Sequence, residues 1–206
     1  SSDVCSSDLQ QHPPGFAKRK HDHVIMTFGN NFDQVQLHYH DPRRFGMVLW
    51  LNDYADKLMN HLGIEPLSDA FSGEYLYQYI HGRKNPITRP IKSVIMAQEV
   101  VVGVGNIYAS ESLFRAGISP LRAANRISRV RCELLVTSVR ATLSDAIAAG
   151  GSSIRDYVHS DGGAGCFQIQ AAVYDRAGES CLRCDGQIRQ IRQAGRSTYY
   201  CPVCQR

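Results

Sequence analysis

The spacing of hydrophobic residues divides the chain into a strand-rich part, a helical part and a cysteine-containing end. In the strand-rich part, residues 34–39 alternate polar and apolar side chains, which is the period of a half-buried strand. Runs at 24–28 and 47–51 are rich in β-branched and large apolar residues, and turn residues separate the three runs. We predict three short antiparallel strands, which bury too little surface to stand alone and belong to a larger sheet.

The helical part covers roughly residues 53–150. Its longest apolar repeat predicts a helix over 128–149, because Leu135, Val139, Leu143 and Ile147 recur at every fourth position and Ser128 can cap the start. Shorter repeats predict helices that include residues 75–80 and 106–115. We interpret these apolar stripes as the core of a helical domain.

Composition and charge add two constraints. The chain has 206 residues, 43% hydrophobic and 20% charged, which is ordinary for a globular protein. No run approaches the roughly 18 apolar residues that a membrane helix needs, so we expect no membrane association. The net charge of +4 is mildly basic, and arginine and lysine cluster at 18–20, 43–44, 83–92 and 186–196, which fits a polyanionic partner.

Four of the seven cysteines form two C-x-x-C pairs, Cys181 with Cys184 and Cys201 with Cys204, separated by sixteen residues. This spacing lets four thiolates reach one tetrahedral zinc ion and leaves room for a hairpin between the pairs. Two disulfides are disfavoured because we expect no secretion signal, and a redox motif would not occur twice in so short a segment. We therefore predict one structural Zn²⁺. Cys132 lies in a helical pattern and is predicted to be a buried thiol.

The segment 102–108 places Gly103 and Gly105 directly before a predicted helix that begins at Asn106. Backbone N–H groups at a helix start can hold a phosphate, and glycine lets a ligand approach them closely. Asn106 could cap the helix or reach that phosphate. A capped turn between two helices explains the same residues, so both interpretations stay open at this point.

Three other segments carry candidate chemistry. The turn 41–46 presents two arginines and a phenylalanine, which form either a surface salt-bridge patch or a wedge that enters a duplex. Residues 20–23, Lys-His-Asp-His, suit a metal site or phosphate contacts. Arg192, Arg196 and Tyr199 lie on the presumed hairpin between the cysteine pairs, where basic and aromatic groups suit nucleic acid.

Several motifs in the same order resemble the bacterial formamidopyrimidine-DNA glycosylase family. They are KHDHV, DPRRFG, HLGIEPLSD, VVGVGNIYASESLFRAGI, SDGGAGCFQ, VYDRAGESC and the paired cysteines. The resemblance covers about residues 12–206, and DPRRFG and SDGGAGCFQ look more like this family than like its endonuclease VIII sister group.

The resemblance implies an α+β fold: a truncated antiparallel β-sandwich, a helix-two-turn-helix domain and a C-terminal four-cysteine zinc-finger hairpin. The low-complexity start SSDVCSSDL is set apart as a disordered tail or artefact. The expected divisions are 1–11 for this tail, 12–52 for the sandwich remnant, 53–160 for the helical domain, 161–175 for a lesion-capping loop region and 176–206 for the finger.

The family removes oxidised purines, 8-oxoguanine and formamidopyrimidines, from duplex DNA by base flipping and then cleaves the abasic site as a lyase. By resemblance, Arg43 and Phe45 match residues that enter the duplex, and His21 and Arg43 match DNA contacts. Lys92 and Asn106 match residues that grip phosphates beside the lesion.

Arg196 matches the finger arginine that contacts the damaged site and takes part in δ-elimination, so it is the one catalytic residue expected here. Residues 161–169 match the loop that closes over the flipped base. Arg89 is taken as a further DNA contact, although Arg83 and Lys84 lie in the same basic segment and a local length difference leaves all three open. The partner implied is double-stranded DNA with oxidised purines or abasic sites, bound by a monomer in the bacterial cytoplasm at the nucleoid.

The family's nucleophile is an N-terminal proline followed by a glutamate, whereas this chain starts Ser1-Ser2-Asp3. Pro13 and Pro14 are internal amides whose nitrogens cannot attack a sugar. We therefore expect this polypeptide to bind duplex DNA without cleaving it. A non-catalytic, zinc-dependent DNA-binding module is the alternative function.

Overall fold

The computed structural model describes residues 8–30, 33–42, 44, 48, 59–149 and 171–206. The elements in chain order are β1 Asp8–His12, β2 Asp22–Gly29, β3 Gln34–His40, α1 Gly73–His81, α2 Ile91–Ile95, α3 Asn106–Arg115, a 3₁₀ turn at Ala124–Arg126, α4 Arg129–Ala148, β4 Arg189–Gln193 and β5 Arg196–Tyr200. The mixed α+β class predicted from the sequence is confirmed. Among these residues, none of the helices has the length and apolar character needed to cross a membrane.

The first three strands form one antiparallel sheet in the order β1–β3–β2. Residues 8–11 belong to β1, so the prediction of a disordered tail over 1–11 is wrong for this part. β1 has no apolar alternation to indicate a strand, but its backbone pairs with β3 from Asp8 opposite His40 to His12 opposite Gln36. The strand predicted at 47–51 lies outside the described residues except for Val48.

The buried side of this sheet is polar. In β3 the fully buried side chain is His38, whereas the alternating apolar residues are partly exposed, contrary to the pattern predicted. His38 Nδ1 lies 2.9 Å from Asp22 Oδ2, His40 Nδ1 lies 2.8 Å from Oδ1, and Arg19 bonds the same carboxylate. Burial acts to raise the pKa of Asp22, but hydrogen bonds from these three side chains outweigh it and hold that pKa well below its ordinary value.

The predicted helices are confirmed with closely matching ends. Ser128 caps α4 by accepting from the Arg131 N–H at 3.4 Å, and α1 is capped in the same way by Ser72. α4 packs against α1 and α3 through a continuous apolar core, in which Leu135 and Val139 are fully buried. Ile147 is 56% exposed, so the predicted stripe ends one turn early.

The C-terminal hairpin of β4 and β5 packs on the helical domain through a second apolar cluster. Phe114 of α3 joins this cluster with Val173, Ile188 and Tyr199. The Arg183 guanidinium lies 4.4 Å from the Phe114 ring centre and donates to the Phe114 carbonyl at 2.9 Å. The finger is thereby held against the C-terminal half of α3.

Candidate nucleic-acid interface

A buried lysine lies where the helical domain meets the hairpin. Lys92, in α2, is 2% exposed, and its Nζ donates to Asn106 Oδ1 and to Thr198 Oγ1, each at 2.7 Å. Asn106 is the first residue of α3, and Thr198 lies within β5 and is fully buried. Because an ammonium group has three N–H donors, these two contacts leave one for a ligand.

The Lys92 ammonium borders a pocket of about 240 Å³. The lining residues are Lys92, Ser93, Met96, Asn106, Gln193, Ala194 and Arg196. Burial and the nearby Arg196 guanidinium lower the pKa of Lys92 to about 8, since both disfavour a positive charge there. An anion in this pocket would meet the lysine and the arginine together and would relieve their mutual repulsion.

The N-terminus of α3 opens beside this pocket. Gly105 precedes the helix without a side-chain cap, and Gly103 has φ +75°, a left-handed conformation that favours glycine. Asn106 does not cap the helix: its amide accepts from Lys92 and donates to the Ser197 carbonyl at 2.9 Å. The Asn106 side chain therefore connects the lysine to the hairpin, and Gly105 contributes no side-chain cap at the start of α3.

Arg196 begins β5 directly after the hairpin turn, in which Ala194 and Gly195 both have positive φ. Arg196 lines the pocket as an exposed residue, whereas Lys92 lines it as a buried one. The structure thus brings together three of the residues predicted to act on DNA: Lys92, Asn106 and Arg196.

The other predicted residues lie elsewhere or are not described. His21 lies in the turn before β2. The centre of its ring lies 5.8 Å from that of His40 in a T-shaped arrangement, and its carbonyl accepts from the Asp41 N–H. Arg89 pairs with Glu99 at 3.4 Å on the surface. Arg43 and Phe45, and the predicted capping loop 161–169, lie outside the described residues.

The metal interpretation of residues 20–23 is not supported. Asp22 is occupied by Arg19 and two histidines, and His23 Nε2 lies 2.9 Å from the Asp41 carbonyl oxygen. Within the described ranges, the four finger cysteines are the group whose ligand atoms converge on one point.

Those four Sγ atoms all lie within 4.8 Å of one another. Individual separations are 3.8 Å for Cys181–Cys204, 3.6 Å for Cys184–Cys201 and 3.4 Å for Cys184–Cys204. A tetrahedral ion with Zn–S bonds of about 2.3 Å needs S···S edges of about 3.8 Å. Backbone N–H groups of Arg183, Gly186 and Cys204 also point at cysteine sulfurs at 3.4 Å, which favours thiolates. The donor set and its geometry fit a zinc ion.

Sequence reasoning missed three residues that hold this interface together. Thr198 supplies an acceptor to Lys92, and Tyr174 accepts from Asn106 at 3.4 Å. Glu111, 3% exposed in α3, accepts from the backbone N–H groups of 172–174 at 2.8–3.0 Å. A glutamate within a predicted core helix was a signal that a buried polar contact was needed.

A helical domain with a basic pocket at a helix N-terminus, bordered by a four-cysteine finger, is typical of a zinc-finger DNA-binding protein. Residues 62–158 match the formamidopyrimidine-DNA glycosylase H2TH domain, and residues 178–206 match the zinc finger found in FPG and IleRS.

Curated and solved relatives agree with these matches. The chain is 59% identical over 205 residues to formamidopyrimidine-DNA glycosylase of Dechloromonas aromatica, covering 97% of this chain and 71% of the relative. It superposes with a TM-score of 0.81 and 34% identity on Lactococcus lactis Fpg in complex with abasic-site DNA, covering 97% and 72% of the two chains. The MutM (Fpg) protein of Thermus thermophilus gives a TM-score of 0.80 at 33% identity, with the same coverage. The chain belongs to the formamidopyrimidine-DNA glycosylase family, the DNA glycosylases of base excision repair.

Proposed function

We propose that the family function of this chain is that of a base-excision DNA glycosylase and abasic-site lyase that acts on oxidised purines, and that in this polypeptide the pocket binds the DNA backbone beside the lesion. The observation that carries the proposal is the convergence of Lys92, Asn106 and Arg196 at the N-terminus of α3. Solved relatives are bound to abasic-site DNA, to Fapy-dG containing DNA and to carbocyclic 8-oxo-G containing DNA, which supports the same class of ligand here.

Each group has a distinct task in this proposal. The third N–H of the Lys92 ammonium and the first backbone N–H groups of α3 donate to the oxygens of one phosphate. Arg196, exposed and on a tight hairpin turn, reaches from the finger toward the damaged nucleotide and stabilises negative charge as the sugar is processed. The zinc ion keeps the hairpin folded and so holds Arg196 in place. We further propose that the protein acts as a monomer in the bacterial cytoplasm, at the nucleoid.

Binding to matched duplexes tests the proposal. The zinc-loaded chain is titrated with three duplexes of one sequence, carrying an abasic-site analogue, 8-oxoguanine or no lesion. We expect tighter binding to both damaged duplexes. Equal affinity for all three would refute lesion recognition and favour the non-catalytic DNA-binding module.

Arg196→Ala provides the site-specific arm, with Arg192→Ala as its control. Both arginines are exposed on the same hairpin, but only Arg196 borders the pocket. We expect Arg196→Ala to weaken binding to damaged DNA more than tenfold and to reduce the slope of log K against log salt by about 0.9, the loss of one phosphate contact. An equal effect of the two variants would place the DNA contact elsewhere on the hairpin.

A further inference from the structure

Thr198 stands at the centre of a hydrogen-bond chain that crosses from the finger to the helical domain. Its hydroxyl accepts from Lys92 Nζ at 2.7 Å and donates to Gln193 Oε1 at 3.4 Å. Gln193 Nε2 then donates to the Pro120 carbonyl at 3.2 Å. An ammonium can only donate, so the hydroxyl must accept from Lys92, and its own hydrogen is directed to Gln193. The hydrogen bonds in this series therefore all run in one direction, from Lys92 through Thr198 and Gln193 to Pro120.

The hairpin holds Thr198 where the lysine needs it. Thr198 is fully buried and lies between Ser197, whose carbonyl accepts from Asn106, and Tyr199, whose hydroxyl donates to Asp175 at 3.2 Å. Thr198 also precedes Cys201 by three positions on the strand that enters the second cysteine pair. The acceptor for Lys92 is thus present only when the finger is folded.

We propose that Thr198 is a positioning residue, which orients the Lys92 ammonium toward the DNA phosphate and makes its charge depend on the folded finger. The inference rests on the proposed function, because it assigns the pocket to a phosphate.

The groups around Lys92 determine in which direction its pKa should change when Thr198 is substituted. The Arg196 guanidinium opposes its charge, whereas the Asn106 carbonyl and the Thr198 hydroxyl accept from it. Burial and Arg196 bring the pKa of Lys92 to about 8, so the lysine loses its proton within a testable range. Removal of the hydroxyl removes an acceptor that favours the charged form, and the pKa must fall further.

Thr198→Val tests the inference, because valine keeps the shape and removes the hydroxyl, and Thr198→Ser serves as the conservative rescue. Affinity for the abasic-site duplex is measured from about pH 6 to about pH 9.5 at constant ionic strength. We expect wild-type affinity to fall as the pH rises through about 8. In Thr198→Val the same fall should occur about one pH unit lower, so that binding is close to wild type near pH 6, about threefold weaker near pH 7.5 and about tenfold weaker near pH 9. Thr198→Ser should restore the wild-type profile.

Two controls separate the possible failures. Lys92→Met must abolish the pH step, which identifies the titrating group, and zinc content measured for each variant reports whether the finger is folded. If Thr198→Val does not take up zinc, Thr198→Ala replaces it in the same comparison. A parallel pH profile with uniformly weaker binding would overturn the positioning role and leave Thr198 a packing residue. Failure of the wild-type chain to prefer damaged DNA would instead overturn the proposed function.

Discussion

Glu111 holds the residues that lead into the finger, and its substitution by glutamine removes one of the two carboxylate oxygens that do so. Its carboxylate accepts from the backbone N–H groups of Ala172, Val173 and Tyr174, at 2.9, 3.0 and 2.8 Å. Tyr174 in turn accepts from Asn106. Glu111 therefore fixes the backbone of Tyr174, whose side chain contacts the pocket-lining Asn106.

The size of the effect follows from the geometry. In Glu111→Gln the amide oxygen can still serve Val173 and Tyr174, but those bonds lose the charge that makes them strong, at about 1 kcal/mol each. The amide nitrogen then faces the Ala172 N–H, which becomes a half-buried donor without its acceptor, at the low end of the roughly 1–3 kcal/mol that a lost acceptor costs. The neutral amide is easier to bury than a carboxylate, which offsets part of the loss. We expect a net destabilisation of about 2–3 kcal/mol, or roughly 5–10 °C in Tm.

Thermal unfolding of the zinc-loaded chain measures this effect, and Glu133→Gln is the matched control because Glu133 is exposed on α4. The control should melt within about 1 °C of wild type, since exposed substitutions seldom exceed about 0.5 kcal/mol. Glu111→Gln should also bind damaged DNA less tightly, through displacement of Tyr174. If the two variants melted together, the three N–H contacts to Glu111 would not stabilise the fold.

Three further outcomes are expected. Asp22→Asn should destabilise the three-stranded sheet by about 3 kcal/mol, which would be measured as faster amide hydrogen exchange in β2 and β3. The exposed control Asp33→Asn should leave that exchange unchanged. Normal protection of the amides in both variants would count against the buried network. Because the pKa of Asp22 is depressed, the stability it adds is present above the ordinary pKa of 3.8 and is lost as the pH falls below it. Chelation of zinc should unfold the finger and abolish preferential binding to damaged DNA, with recovery on zinc addition; binding that survives full metal removal would contradict this. Burial raises the pKa of the Cys132 thiol to about 11, so peptide mapping after iodoacetamide treatment near pH 8 should find it unmodified in the folded protein; rapid labelling would refute its burial.

Those parts of the molecule that depend on local spacing could be predicted from the sequence. The 128–149 repeat became α4 because side chains four residues apart share a helix face, and the cysteine pairs converged because each C-x-x-C turn is a local structure. Lys92 and Asn106, in contrast, were assigned to phosphate contacts by family resemblance. The structure adds that they touch each other, 14 residues apart in sequence.

The parts that escaped prediction depend on contacts between distant residues. Thr198 is 106 residues from Lys92, and nothing in the run RSTYY distinguishes a lysine acceptor from an ordinary strand threonine. β1 was missed because its pairing with β3 uses backbone groups, which carry no side-chain pattern. The alternating pattern predicts that His38 is exposed, because it assigns polar residues to the solvent side of a strand. His38 is buried instead, because Asp22 supplies a hydrogen-bond partner for its ring.

The position of the pocket explains why the helical domain and the finger occur together. Lys92 and Asn106 come from helices, Thr198 and Arg196 come from the hairpin, and the buried ammonium needs acceptors from both sources. A helical domain without the finger would leave Lys92 with one acceptor fewer, and the finger alone would have no helix N-terminus to face the phosphate. Under the proposed function, a zinc ion in the finger therefore acts on DNA binding through two residues at once. Loss of the metal displaces the Arg196 charge and the Thr198 acceptor together, so it should weaken binding more than either single substitution.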